Sequence, residues 1–186
     1  MPDLEDDLKH ELIIEMIDPF ATLSINLIYV IRSRFIFSAA HLCHQANMVK
    51  FKTDWKDDLP NDDKILFEHA DKVGSSWKDY KKLKLALEKT SNKKFSTSTK
   101  DFRNKYHHRY SPRIELGHTE FVKRKVGTNN TSYDMGYTEP LTLTLLIPLL
   151  SEQYVLFLKA YECYKKLVLS QITAIKKSLK EINYQC

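Results

Sequence analysis

The sequence predicts an all-α protein: an up-and-down bundle of four or five helices, with a short irregular or β-hairpin insertion before the last long helix. Only four glycines and six prolines punctuate 186 residues. Apolar residues recur at spacings of three and four through most of the chain, which is the period of an amphipathic helix. Three of the four glycines, Gly117, Gly127 and Gly136, crowd into one short stretch near the C-terminal third, so irregular structure should concentrate there. The length suits one domain spanning 1–186, with the insertion at about 111–139.

A first helix is expected from Asp3 to Ile17. Asp18-Pro19 then offers an N-cap followed by proline at the first helical position, starting a second helix that runs to about Val49. On it Phe20, Ser24, Ile28, Ile31, Phe35, Ala39 and Leu42 form a continuous stripe expected to be buried. The neighbouring stripe, Leu27, Val30, Arg34, Phe37 and His41, contains polar members less easily explained as core. Residues 50–61 read as a polar connection. Asp62 to Val73 and Ser75 to Glu88 make a third helical region interrupted at Gly74. Thr90 to Thr99, rich in Ser, Thr and Lys, is expected to be a loop. Ser98-Thr99-Lys100-Asp101 matches a capping box, in which a hydroxyl and a carboxylate satisfy the free amides of a helix start. The helix so begun should run from Thr99 to Tyr110, because Ser111-Pro112 disfavours its continuation. Phe121–Val126 and Tyr133–Tyr137 flank Gly127-Thr128-Asn129-Asn130 as strand, turn and strand. From Pro140 to Asn183 the helical pattern returns with two adjacent apolar stripes, and Pro148 either kinks that helix or marks its start.

Hydrophobic content of 42% and charged content of 28% are those of an ordinary soluble globular chain. The most apolar runs are broken by Arg32, Arg34 and His41 in one case and by Pro148, Glu152 and Gln153 in the other, so no membrane span is expected. The acidic start Met1-Pro2-Asp3-Leu4-Glu5-Asp6-Asp7 is unlike a secretory signal, which points to the cytoplasm. Cys43, Cys163 and Cys186 are too few for a disulfide framework and form no Cys-x-x-Cys pair, so reduced thiols are expected. His41 and His44 sit one helical turn apart, yet no second ligand cluster accompanies them, and neither metal nor cofactor is expected. The net charge is +5, and residues 100–125 alone carry eight basic against three acidic side chains. A polyanion would be drawn to that segment, although helix and hairpin surfaces are also often basic for solubility alone.

Within it lies Arg103-Asn104-Lys105-Tyr106-His107-His108-Arg109-Tyr110. At about 100° per residue, Arg103, Asn104 and His108 fall within one arc of a helix, wide enough for one phosphate. Arginine supplies a permanent forked cation and histidine exchanges protons near neutral pH, a pairing suited to phosphodiester chemistry. This stretch resembles the Arg-x4-His signature of the HEPN superfamily, small helical-bundle proteins of toxin–antitoxin pairs, phage defence and CRISPR effectors. Asn104 matches the polar residue favoured after the arginine. Tyr110 extends the match to Arg-x4-His-x-Tyr, the version that resembles toxins paired with nucleotidyltransferase antitoxins.

The resemblance implies metal-independent RNA cleavage in a toxin or phage-defence effector, at a site formed where the motif helices of a homodimer face each other. His108 would act as base or acid on the ribose 2′-hydroxyl and the departing oxygen. Arg103 would stabilise the charge building on phosphorus, and Asn104 would orient Arg103 or His108. Lys105, His107, Arg109 and Arg113 would hold the substrate, and Tyr110 is the candidate for modification by an antitoxin. Two other readings stay open: a HEPN-like module that binds nucleotide or RNA without cutting it, and a helical interaction domain whose basic hairpin meets an acidic partner.

Overall fold

In the computed structural model, which describes residues 5–110, 112–128 and 130–183, the chain is mostly helical, and a single antiparallel hairpin precedes the last long helix. Two compact units emerge, one made of residues 1–28 and 91–152, the other of residues 29–90 and 153–186.

Helix α1 (Asp6–Leu12) passes through a π-helical turn, Ile13–Ile17, directly into α2 (Asp18–Phe51). The sequence reading placed a break and an N-cap at Asp18, but Asp18 is helical (φ −61°, ψ −49°) and its N–H donates to the carbonyl of Ile13, five residues back. The cause is Pro19, which has no N–H and whose ring crowds the carbonyl four residues earlier; widening the helix by one residue in the preceding turn relieves that crowding without ending it. The expected start at Asp3 lies outside the described residues.

In the unit of residues 29–90 and 153–186, the core gathers Ala39, Ala40, Cys43 and Ala46 of α2 with Ala70 and Val73 of α3 (Phe67–Gly74). Trp77, Tyr80, Leu83 and Leu87 at the start of and along α4 (Lys78–Lys89) join them, as do Ala160 and Leu167 of α7 (Leu143–Asn183). The buried seam of α2 is therefore its small-residue seam. The stripe expected to be buried is rotated outward at its start, where Phe20 is 62% exposed, and Ala21 and Ile25 are buried instead. Small side chains let helix axes approach closely, and from Ala39 to Ala46 they define the packed line.

Gly74 is required by such an approach, because a Cβ there would lie 2.4 Å from the Tyr80 ring. Asp71 fixes that ring by accepting from the Tyr80 hydroxyl at 2.8 Å, while its other oxygen takes Lys84 Nζ at 2.6 Å. The buried Asn47 makes three hydrogen bonds: its amide donates to the Val73 carbonyl at 2.8 Å, and its oxygen accepts from Trp77 Nε1 at 2.9 Å and Ser76 Oγ at 3.2 Å. Cys43 Sγ accepts from Gln171 Nε2 at 3.2 Å, and burial pushes its thiol up to about 12.

In the other unit, Ile25, Ile28, Phe95, Phe102, Ile114, Leu141 and Leu146 are buried. The segment expected as a loop contains a further helix, α5 (Lys93–Ser98). Asn92 caps it, its side-chain oxygen accepting from the Phe95 N–H at 3.0 Å, and Phe95 anchors it in the core. Helix α7 begins at Leu143 rather than Pro140. Glu115 accepts from the Leu143 N–H and the Thr142 hydroxyl oxygen from the Leu145 N–H at 3.3 Å, so Pro148 lies inside the helix and does not start it.

Both long helices keep large apolar side chains exposed: Phe20, Leu23, Leu27, Val30 and Phe37 on α2, and Ile147, Tyr154, Leu158 and Tyr161 on α7. By length and composition, the segments Asp6–Asp54 and Leu143–Ser178 suffice to cross a membrane, and only 17% and 22% of their most apolar windows is buried.

Candidate active site

The predicted site residues fall on or just beyond a seven-residue helix, α6 (Phe102–His108), within the unit of residues 1–28 and 91–152. The expected capping box is absent. Ser98 ends α5 instead, and Lys100 and Asp101 adopt left-handed conformations (φ 54° and 55°) that turn the chain between the two helices. Asp101 tolerates this conformation better than most residues because its short polar side chain finds partners close by. Its N–H donates to the Ser96 carbonyl at 2.8 Å, and its carboxylate accepts from Ser96 Oγ at 3.3 Å. Thr99 Oγ1 donates back to the Phe95 carbonyl at 2.9 Å, and Lys100 Nζ reaches the carbonyl of Glu139 at 2.6 Å. The entry to the motif helix is thus fixed on both sides.

Fully buried Phe102 anchors one face of α6 and stacks on Tyr106, with centroids 5.9 Å apart. The opposite face presents Arg103, Asn104, His107 and His108, all exposed, and exposed Arg109 follows at the C-cap. Asn104 does not orient a neighbour in the motif. Its amide donates to Asp101 Oδ2 at 2.9 Å, leaving its carbonyl oxygen on the surface. The His107 ring meets Tyr106 edge-on at 5.3 Å, and His108 lies 6.5 Å from His107. Lys105 is committed elsewhere, in a largely buried ion pair with Glu120 at 3.0 Å. Glu115 is occupied at the start of α7.

Glu120 ties three segments together. Besides Lys105, its carboxylate accepts from Thr138 Oγ1 at 2.6 Å, and Thr119 and Thr138 exchange backbone hydrogen bonds beside it. The Thr138 hydroxyl, then Lys105 and Lys123, hold the Glu120 carboxyl below the usual carboxylate range against a partial desolvation that opposes them. From this stem rises the hairpin, β1 (Val122–Val126) and β2 (Thr131–Met135), close to the positions the sequence predicts.

Tyr110 and Arg113 line a cleft of about 390 Å³ together with His118, Thr119, Glu120, Phe121 and Val122. His118 was not singled out from sequence. It lies 3.6 Å from Glu139, and its ring rests on Tyr137 at 4.4 Å. The available signal was the Gly117-His118-Thr119-Glu120 run, a histidine and a carboxylate beside one of the chain's four glycines. His41, Cys43 and His44 diverge: His41 pairs with Asp62 at 3.2 Å, His44 with Asp57 at 3.3 Å, and Cys43 with Gln171. No cluster of three or more His, Cys, Asp or Glu with metal-binding proximity occurs among the described residues.

Comparison with protein-family models, with curated proteins and with solved structures finds no match to this chain. What can be said of its chemistry therefore rests on the geometry. The arrangement offers a permanent cation, a proton-exchanging ring and a fixed amide, all facing water on one short helix, beside a basic ribbon.

Proposed function

We propose that this chain is a metal-independent endoribonuclease of HEPN type: an up-and-down helical bundle that works as a cytoplasmic homodimer, as a toxin or phage-defence effector. The observation that carries the reading is that Arg103 and His108 are both exposed on α6, whose orientation is fixed by buried Phe102 and by the Lys105–Glu120 pair. Exposed arginines and histidines are common on helix surfaces, and what supports the reading is that these two lie together on one short, anchored helix where a phosphodiester can reach them. In this reading His108 takes the proton of the ribose 2′-hydroxyl, or gives one to the departing 5′-oxygen, and Arg103 offsets the charge gathering on phosphorus. Asn104 holds the N-terminal end of the helix through Asp101 rather than orienting Arg103 or His108 directly. His107, Arg109 and Arg113 contact flanking phosphates, while Lys105 serves mainly as a clip. Tyr110, half-exposed at the mouth of the cleft, is the hydroxyl a nucleotidyltransferase antitoxin would modify.

The homodimer is supported by α2, where Phe20, Leu23, Leu27, Val30 and Phe37 recur at spacings of three, four and seven and are all exposed. Apolar faces of this kind call for cover. The same exposure favours a second reading, in which the long helices embed in a bilayer. Arg32, Arg34 and Lys50 along α2 and Lys159, Glu162 and Lys165 along α7 argue for water, and recovery of the protein in a high-speed supernatant without detergent decides it.

The test of the activity is incubation of purified protein with total RNA in EDTA. Cleavage is expected, with products ending in a cyclic 2′,3′-phosphate, and Arg103→Ala and His108→Ala should each slow it at least about 100-fold while leaving the circular dichroism unchanged. RNA binding with no cleavage products would replace the enzyme with a non-catalytic binding module. Neither binding nor cleavage would leave a helical interaction domain.

A further inference from the structure

The hairpin is the most exposed ordered structure in its unit. All five residues of β1 and all but Asp134 of β2 face water. Its register pairs Val122 with Met135, Arg124 with Tyr133 and Val126 with Thr131, so these six side chains share one face; Lys123, Asp134, Lys125 and Ser132 share the other. On the first face Tyr133 is 68% and Met135 84% exposed, with Arg124 directly across from Tyr133. The second face is largely self-satisfied, since Lys125 pairs with Asp134 and Lys123 donates to the Tyr137 carbonyl at 3.5 Å. A two-stranded ribbon with an uncovered apolar face is marginal by itself, so this face calls for an occupant.

Two properties choose that occupant. The ribbon is basic, with Lys123, Arg124 and Lys125 against Asp134, so the partner is anionic. It also interleaves those cations with exposed aromatic rings: Tyr133 on the ribbon, Phe121 and Tyr137 at its foot, and Tyr110 beside the cleft. Tyrosine and arginine serve protein interfaces too, but three consecutive cations suit a line of phosphates, and a duplex hides the faces of its bases. A single strand offers both a line of phosphates and unstacked bases.

We propose that the Val122–Met135 hairpin is a binding platform for single-stranded RNA, with Tyr133 stacking on a base and Arg124 holding the adjacent phosphate, and that it feeds the strand towards the motif helix. The choice of RNA over DNA rests on the ribonuclease reading; the platform itself does not. It follows that substrates are selected for being unpaired, with little dependence on sequence, because stacking accepts any base.

The experiment is fluorescence anisotropy with a short labelled single-stranded RNA, the same strand annealed to its complement, and a DNA strand of the same sequence. The protein carries His108→Ala, so binding is read without cleavage. Tyr133→Ala and Arg124→Glu, both on the exposed ribbon, are each expected to weaken single-strand binding about tenfold, with Tyr133→Phe retaining it. The duplex should bind more weakly and be indifferent to Tyr133→Ala. Unchanged single-strand binding by Tyr133→Ala, or equal affinity for the duplex, overturns the proposal, as does tighter binding of the DNA strand. The two readings fail separately. A protein that binds single strands through Tyr133 but never cuts RNA keeps the platform and loses the ribonuclease. One that cuts RNA while both ribbon variants bind and cut normally does the reverse.

Discussion

Asp101 shows how much of the motif's geometry depends on a side chain outside it. In left-handed conformation it turns the chain into α6, and through Asn104 it fixes the first turn of that helix. Glu120 does comparable work from the flank, and its depressed pKa ties that work to pH. A carboxylate stabilised in the folded state contributes fully above its ordinary pKa, and the contribution is lost as pH falls through the lowered folded value. The stem around Thr119 and Thr138 is therefore expected to loosen on acidification below the ordinary carboxylate range. Amide protection at Thr119 and Thr138, taken against the intrinsic exchange rate at each pH, should fall there in the native protein, and Glu120→Gln should show the lower protection already at neutral pH. Cys43 makes a second expectation, since a thiol raised to about 12 by burial has almost no thiolate at neutral pH. Mass spectrometry after iodoacetamide treatment should find Cys43 unmodified in the native protein and modified in denaturant. Gly74 gives a third. Gly74→Ala forces a Cβ against a ring that Asp71 holds in place, and should cost about 2 kcal/mol or more in urea unfolding. Residue types were legible in the sequence at Arg103, Asn104 and His108 but their partners were not. Asn104 was expected to serve Arg103 or His108, and the turn at Lys100-Asp101 brings Asp101 within reach of its amide.

At the scale of elements, the hairpin was readable because strand-forming residues flank a turn at Gly127–Asn130, although the second strand, expected at Tyr133–Tyr137, runs from Thr131 to Met135. Helix α5 was missed because Lys93–Ser98 is short and polar, and its polar composition outweighed Asn92 three residues ahead of the buried Phe95. That cap is testable: Asn92→Ala should lower stability by about 1 kcal/mol in urea titration, since it frees the Phe95 N–H of its partner. The junction at Pro19 misled for a different reason. Asp-Pro is a sound helix-start signal, but it cannot reveal that a π-turn upstream will absorb the proline. On α2, apolar periodicity found Ile28 and Ala39 of the buried face but misplaced its start, because Phe20 outweighs Ala21 in hydrophobicity while Ala21 and Ile25 are the residues buried there.

For the whole molecule, the mostly helical class and the place of the hairpin in chain order follow from composition and periodicity alone. Assembly does not, because an exposed apolar stripe is equally a surface awaiting a partner. If that partner is a second copy, Leu27→Glu combined with Phe37→Glu should convert a dimer to a monomer in light scattering and abolish RNA cleavage without loss of helicity. A monomeric parent protein would remove the shared site from the mechanism. The short length of α6 carries one more consequence. Seven residues cannot persist as a helix in water by themselves, so the motif keeps its shape through buried Phe102, the Asp101–Asn104 bond and the Lys105–Glu120–Thr138 tether together. Slackening that tether at Glu120 or Thr138 would therefore be felt at Arg103 and His108, which lie on the same helix as Lys105.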